Sequence, residues 1–203
     1  MIPSFCYLIS SNVAYQEPLK RLLGSMSVSH DHFVVIGGCK DTGCVLNYRI
    51  VNHDSFDYTA LIEFLDFEKQ PSHVFLLHDT MEFTAETDAL VRSADPEMDA
   101  TAAVDGCQCN LGLFRTDYLL TKRAEILKMR NCTKLEAVQF EGVLWKDAPK
   151  RAVYPNGTVD VVSETAVYGG AIRRTERYNA LKLFKHKSSW GQEMETIGER
   201  IKP

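Results

Sequence analysis

Four short apolar runs, separated by amphipathic stretches and closed by small polar residues, constrain the first 80 residues of the chain more than any other feature. Phe5 to Ile9 runs into Ser10, Ser11 and Asn12. Phe33 to Ile36 closes on Gly37 and Gly38, and Val45 to Val51 closes on Asn52, His53 and Asp54. His73 to Leu77 closes on His78, Asp79 and Thr80. Apolar runs this short, bounded by turn formers, read as buried strands. Between them, Leu19, Leu22, Leu23 and Met26 recur at helical spacing, as do Tyr58, Leu61, Ile62 and Leu65 within Asp57 to Phe67. Alternating strand and helix predicts a mostly parallel central sheet flanked by helices, an α/β fold. Ligands of such sheets sit outside the carboxyl ends of the strands. The four polar clusters are therefore expected to converge on one rim.

The second half is less regular. Helices are expected over Glu86 to Ser93, Thr116 to Met129 and Lys134 to Trp145, with a strand over Ala102 to Val104. Pro155, Asn156 and Gly157, between Val153 and Val159, read as a hairpin turn. Val167 to Ile172 reads as a last strand, followed by Arg173, Arg174, Arg177, Lys182, Lys185 and Lys187. No repeat or linker divides the chain, so a single domain over residues 1–203 is expected.

Composition removes several function classes. A net charge of −4 and a pI near 5.9 argue against a nucleic-acid binder, which is usually basic. No apolar run approaches the roughly 18–20 residues of a membrane span. The apolar start, Met1 to Asn12, lacks a basic flank and reads as a strand, so a cytoplasmic location is expected. The six cysteines include no C-x-x-C pair and read as scattered reduced thiols. The sequons at Asn131 and Asn156 read as chance matches. No phosphate-binding G-x-x-x-x-G-K-[ST] or dinucleotide-binding G-x-G-x-x-G is present.

The sharpest chemical signal is Asp79 at the end of the fourth run. A carboxylate there points into the ligand crevice, where a hard oxygen donor suits Mn²⁺ or Mg²⁺ shared with substrate phosphates. The plainer alternative is a carboxylate that caps the next turn. The basic C-terminal residues match a diphosphate or, more commonly, a solvated face. His186 is a candidate second metal ligand. His30, Asp31 and His32 also form a tempting cluster, but at the amino end of the second run, away from the rim.

Phe5 to Asn12, Glu17 to Met26 and Phe33 to Gly38 together resemble the opening of GT-A glycosyltransferases. Leu76 to Thr80 lies where that family carries its metal-binding D-x-D motif, here degenerate, with Asp79 as its acidic residue between His78 and Thr80. Asn110 to Arg115 resembles a segment lining the sugar and acceptor site. Tyr168 to Arg174 and Lys185 to Lys187 resemble segments that close over the diphosphate. The wording His-Asp-Thr is also similar to the amino-terminal domains of viral multidomain glycosyltransferases. The resemblance implies a GT-A-like domain with a nucleotide-binding half over 1–80 and an acceptor and closing half over 81–203. It implies transfer of a hexose or deoxyhexose, of glucose or rhamnose type, from a UDP-sugar donor to a glycan or glycoprotein acceptor.

On that reading Asp79 and His186 hold the metal. Ser10, Ser11, Asn12, Asp54, Tyr58 and His78 meet the nucleotide, and Arg173, Lys185 and Lys187 meet the diphosphate. An inverting transferase needs a carboxylate to deprotonate the acceptor hydroxyl. Glu141 is preferred for that role, with Glu136 and Asp105 as the other candidates. A non-catalytic module of the same fold is the main rival. A sugar nucleotidyltransferase ranks below it, because residues 10–16 hold neither glycine nor a basic side chain.

Overall fold

The computed structural model describes residues 4–27, 31–45, 47–104, 111–140, 142–166 and 172–189. Its first strand, β1 (Phe5–Asn12), is followed by helix α1 (Gln16–Ser25) and β2 (His32–Gly37). A hairpin of β3 (Gly43–Val45) and β4 (Tyr48–Ile50) comes next. A 3₁₀ turn (Phe56–Tyr58) then leads into α2 (Thr59–Phe64) and β5 (His73–His78). Next come β6 (Met81–Glu82), α3 (Thr87–Arg92), β7 (Ala100–Ala102) and β8 (Gly112–Arg115). Four short helices follow: α4 (Thr116–Thr121), α5 (Arg123–Leu127), α6 (Lys134–Phe140) and α7 (Val143–Lys146). The chain continues through β9 (Arg151–Val153), β10 (Val159–Ala166), β11 (Ile172–Tyr178) and β12 (Leu183–Ser189).

The described residues form two sheets. The larger has eight strands in the order β3-β4-β2-β1-β5-β8-β7-β9, and the smaller has four in the order β10-β11-β12-β6. In the large sheet β4, β2, β1 and β5 run parallel, as the alternating front half predicts. Beyond β5 the sheet becomes mixed, because β8 pairs antiparallel with both β5 and β7. The small sheet is antiparallel throughout.

Both faces of the large sheet are buried, which explains why β1 reads as a near-continuous apolar run. Leu8, Val35, Leu76 and Phe114 pack beneath Tyr58, Leu61, Ile62 and Phe64. On the other face Tyr7, Ile9, Val34 and Phe75 pack beneath Leu19 and Leu22 of α1, and Tyr178 and Leu183 bring the small sheet into the same core. Burial of this kind contributes about 25 cal/mol per Å² of apolar surface.

The departures from the sequence reading have local causes. Val45 to Val51 is the turn and arms of a hairpin, with the turn former Asn47 between β3 and β4. Thr116 to Met129 breaks at Lys122 into α4 and α5, where the Thr121 hydroxyl donates to the Tyr118 carbonyl. Pro155 to Gly157 turns the chain with Asn156 at φ 60° but does not make a hairpin. It passes the chain from β9 in the large sheet to β10 in the small one. Of the expected last strand, residues 167–171 lie outside the described residues, and β11 runs on from Ile172 to Tyr178. Residues 111–114, expected near the sugar, are core: Leu111, Leu113 and Phe114 are buried at or beside β8, the interior strand between β5 and β7.

Candidate functional site

The rim expected from the sequence exists, and β1 is its centre. Asn12 lies opposite Gly37 on β2, and Ser10 lies opposite His78 on β5, so three parallel strands end together. The loop after β4 folds onto the same edge. A side chain at Gly37 would meet the His53 carbonyl oxygen at 2.7 Å, and Gly38 takes φ +76° with the Asn12 amide beside it. The two glycines therefore let that loop lie against β2. Asp54 is held there twice, accepting from the Asn12 side-chain amide at 2.7 Å and from the Phe56 backbone N–H at 3.2 Å.

Asp79 sits where β5 runs out, and it is buried with 6% of its surface exposed. Its carboxylate accepts from the Ser11 hydroxyl at 2.8 Å, while its backbone N–H donates to the Ser10 carbonyl. Burial dominates its ionisation and pushes it up from about 3.8 to about 7; the Ser11 hydrogen bond opposes this and the negative charge of Asp57 adds to it. Asp54, Asp57 and Asp79 all raise the Tyr15 hydroxyl too, after its own burial, so this tyrosine belongs to the same acidic surround. A buried carboxyl poised near neutrality, with more carboxylates near it, marks a place where a dication or a proton changes the electrostatics sharply.

The C-terminal half reaches the rim through β12. The His186 backbone N–H donates to the Thr80 carbonyl at 2.8 Å, next to Asp79. The His186 ring meets Glu82 at 2.7 Å and the Thr175 hydroxyl at 3.1 Å, so metal binding through it means exchanging the Glu82 carboxylate. Lys185 is buried and lies opposite Glu176 on β11. Arg173 is exposed on β11, and Lys187 lies opposite Arg174 in the β11–β12 ladder. His78 is buried and pairs its Nδ1 with the Thr80 hydroxyl at 2.7 Å.

Three expected donor or catalytic residues have structural work instead. The Ser10 hydroxyl donates to the Asp57 carbonyl and accepts from the Ala60 N–H, pinning the start of α2 to β1. Tyr58 is core, not a platform for uracil. It is 1% exposed, meets Phe140 edge to face at 5.3 Å and points its hydroxyl at the Ala137 carbonyl. Glu136 closes a capping box: its carboxylate accepts from the Thr133 N–H and hydroxyl, while its own N–H donates to that hydroxyl. Those bonds from Thr133 hold its carboxyl below the usual range. Glu141 and Asp105, the other two candidate bases, lie outside the described residues. So does His30, whereas His32 opens β2 at the amino end of the sheet, as expected.

Sequence reasoning missed a second buried carboxylate. Glu63 of α2 accepts from His53 Nε2 at 2.9 Å and Arg130 Nη2 at 3.2 Å on one oxygen, and its other oxygen forms an ion pair with Arg49 Nε at 2.9 Å. The His53 hydrogen bond, with help from the two guanidiniums, holds its carboxyl below the usual range despite burial. The signal was a glutamate on the apolar face of a helix, where an unpaired charge would be costly.

The described residues hold no cluster of three or more His, Cys, Asp and Glu side chains placed to cage a metal. None of their helices is long and apolar enough to cross a membrane. Four of the cysteines are free thiols: Cys6, Cys39, Cys44 and Cys132. No protein-family model matches the chain, and no curated protein matches it.

Proposed function

We propose that the chain is a glycosyltransferase of the GT-A type, moving a hexose or deoxyhexose from a UDP-sugar to a glycan acceptor. The observation that carries the reading is Asp79. It is a buried carboxyl poised near neutrality where β5 ends, within hydrogen-bond reach of Ser11 at the end of β1. This is the crevice in which open parallel sheets hold their ligands. Mn²⁺ and Mg²⁺ take one or two protein carboxylates and complete their shell with water and phosphate oxygens, so a single hard donor in a polar crevice suits them. The metal would supply neutralisation of charge growing on the departing diphosphate.

The chain's own groups do the rest. Ser11 orients the Asp79 carboxylate. Asn12 and Asp54, locked to one another, form a donor–acceptor pair against which a nucleoside base or ribose can be read. Lys185 and Lys187 fall on one face of the small sheet and Arg173 on the other, so the two lysine positions are the ones proposed to offer positive charge to the diphosphate, on a strand bonded to Thr80. Glu141 remains the preferred base for the acceptor hydroxyl, with Asp105 as the alternative, and Glu136 leaves the set because its carboxylate is committed to Thr133. UDP release from UDP-glucose and UDP-rhamnose, with and without Mn²⁺, tests the reading in wild type and Asp79→Asn. Metal-dependent release that falls by at least about 10²-fold in the variant is expected. Release independent of both metal and Asp79 would overturn the assignment.

One observation favours the rival, a non-catalytic module of the same fold. Ser10 and Tyr58, two of the residues expected to meet the nucleotide, are consumed by the protein's own packing. Tight UDP binding with no sugar transfer or hydrolysis to any acceptor would support that reading.

A further inference from the structure

A cleft of about 480 Å³ opens beside the Glu63 cluster, between the β3–β4 hairpin and the end of α2. Thr42, Gly43, Asn52, His53, Arg49 and Arg130 are among its walls, and neither Asp79 nor Ser11 lines it. The charge of the Glu63 cluster on its wall is unbalanced. Arg49 and Arg130 bring two positive charges to the single negative charge of Glu63. Asp66, also on the wall, is taken by Arg123 at 2.6 Å.

The geometry is that of a braced pair. Glu63 is 5% exposed and grips Arg49 only through Nε and Arg130 only through Nη2. The other guanidinium N–H groups have no further acceptor among the described residues. A guanidinium whose one edge is fixed by a buried carboxylate loses less freedom when its other edge binds an oxyanion. Both side chains are about one-third or more exposed, at 35% and 40%, so a ligand can reach them. A side chain added at Gly43 would meet nothing within 4 Å, so the mouth of the cleft is open beside the hairpin.

We propose that this cleft is a second, anion-binding site, taking a phosphate group between Arg49 and Arg130. It is independent of the glycosyltransferase reading. It also has a route to the rim: His53, bonded to Glu63, lies next to Asp54, and its carbonyl accepts from the Gly38 N–H. Ser55 joins the same wall to the far loop, accepting from the Asn131 N–H while meeting His53 Nδ1.

Titration of the full chain with inorganic phosphate and with glycerol phosphate, at constant ionic strength, tests this by amide shifts and calorimetry. The expected result is saturable binding with shifts at residues 42–44, 51–53 and 131. The affinity should fall roughly tenfold or more in Arg130→Gln and in Arg49→Gln, since each removes charge-assisted bonds. It should recover in part in Arg130→Lys and persist in Asp79→Asn. Thermal unfolding of each variant identifies any that fails to fold, and the remaining arginine variant then carries the test. Equal affinity for both probes identifies free phosphate as the ligand, and tighter glycerol phosphate identifies a phosphorylated small molecule; either supports the site. No saturable binding, undiminished binding in both folded arginine variants, or shifts that centre on the rim and vanish in Asp79→Asn would overturn it.

Discussion

Asp79 and Glu63 are both buried carboxyls beside the same large sheet, with opposite ionisation. Asp79 has one hydroxyl donor and acidic neighbours, and burial carries it up to about 7. Glu63 has a histidine and two arginines, and they hold it below the ordinary range. Burial sets the size of the stakes in each case, and the neighbours decide the sign. A carboxylate balanced by its own protein is a brace. A carboxylate left short of positive charge is a place for something to bind.

The two carboxyls should therefore act on stability in opposite directions, and substitutions at and around them test this in decreasing order of effect. Glu63→Gln removes the brace and leaves two guanidiniums facing a neutral amide, and should cost roughly 3 kcal/mol in urea unfolding at pH 7. A cost below about 1 kcal/mol would mean that the cluster is not a brace.

Asp79→Asn should do the reverse. The folded protein retains a proton on Asp79 that the unfolded chain releases, so stability falls as pH rises from about 4 to about 7 and is level above that. The amide variant escapes this loss and should be more stable than wild type at pH 8 by on the order of 2–4 kcal/mol, and equal to it near pH 4. Glu63 has the opposite sign: its depressed ionisation stabilises the fold above the ordinary glutamate range, and that contribution is lost as pH falls below it. Thermal unfolding from pH 3 to pH 8 reads both slopes.

Ser11→Ala should cost about 1 kcal/mol at pH 8 and push Asp79 higher still, which carboxyl NMR would follow. Glu136→Ala should be the mildest, with a slight loss of melting temperature from the broken capping box and no change in UDP binding, because its carboxylate is exposed and serves Thr133.

The sequence made the front of the molecule legible because each signal there is local. A run from Phe5 to Asn12 that is apolar and then polar can be only a strand and its end, and the parallel order follows from the helices between strands. The same logic placed Ser11, Asn12, Asp54 and Asp79 on one rim. The back half depends on pairings far apart in sequence: β8 inserts antiparallel between β5 and β7, and β6 joins β12 across about 100 residues. No local period encodes that. Side-chain commitment was equally hidden. Tyr58 fits a helix stripe and a stacking platform alike until Phe140 is seen against it, and Ser10 looks available until Ala60 is seen to donate to it. Glu136 was legible in hindsight, since Thr133 and Glu136 have the spacing of a capping box. The Glu63 cluster joins residues from a strand, a helix, a loop and the turn after α5, and only the helix-face position of the glutamate announced it.

The central claim is that the charge deficit at Asp79 is filled by a dication and a nucleotide diphosphate. Calorimetric titration with UDP at pH 8, with and without Mn²⁺, on wild type and Asp79→Asn, tests it most directly. The account predicts binding that needs both the metal and the carboxylate, and that weakens as pH falls through about 7, where Asp79 takes up its proton. UDP binding of equal strength without Mn²⁺ and in Asp79→Asn would contradict it.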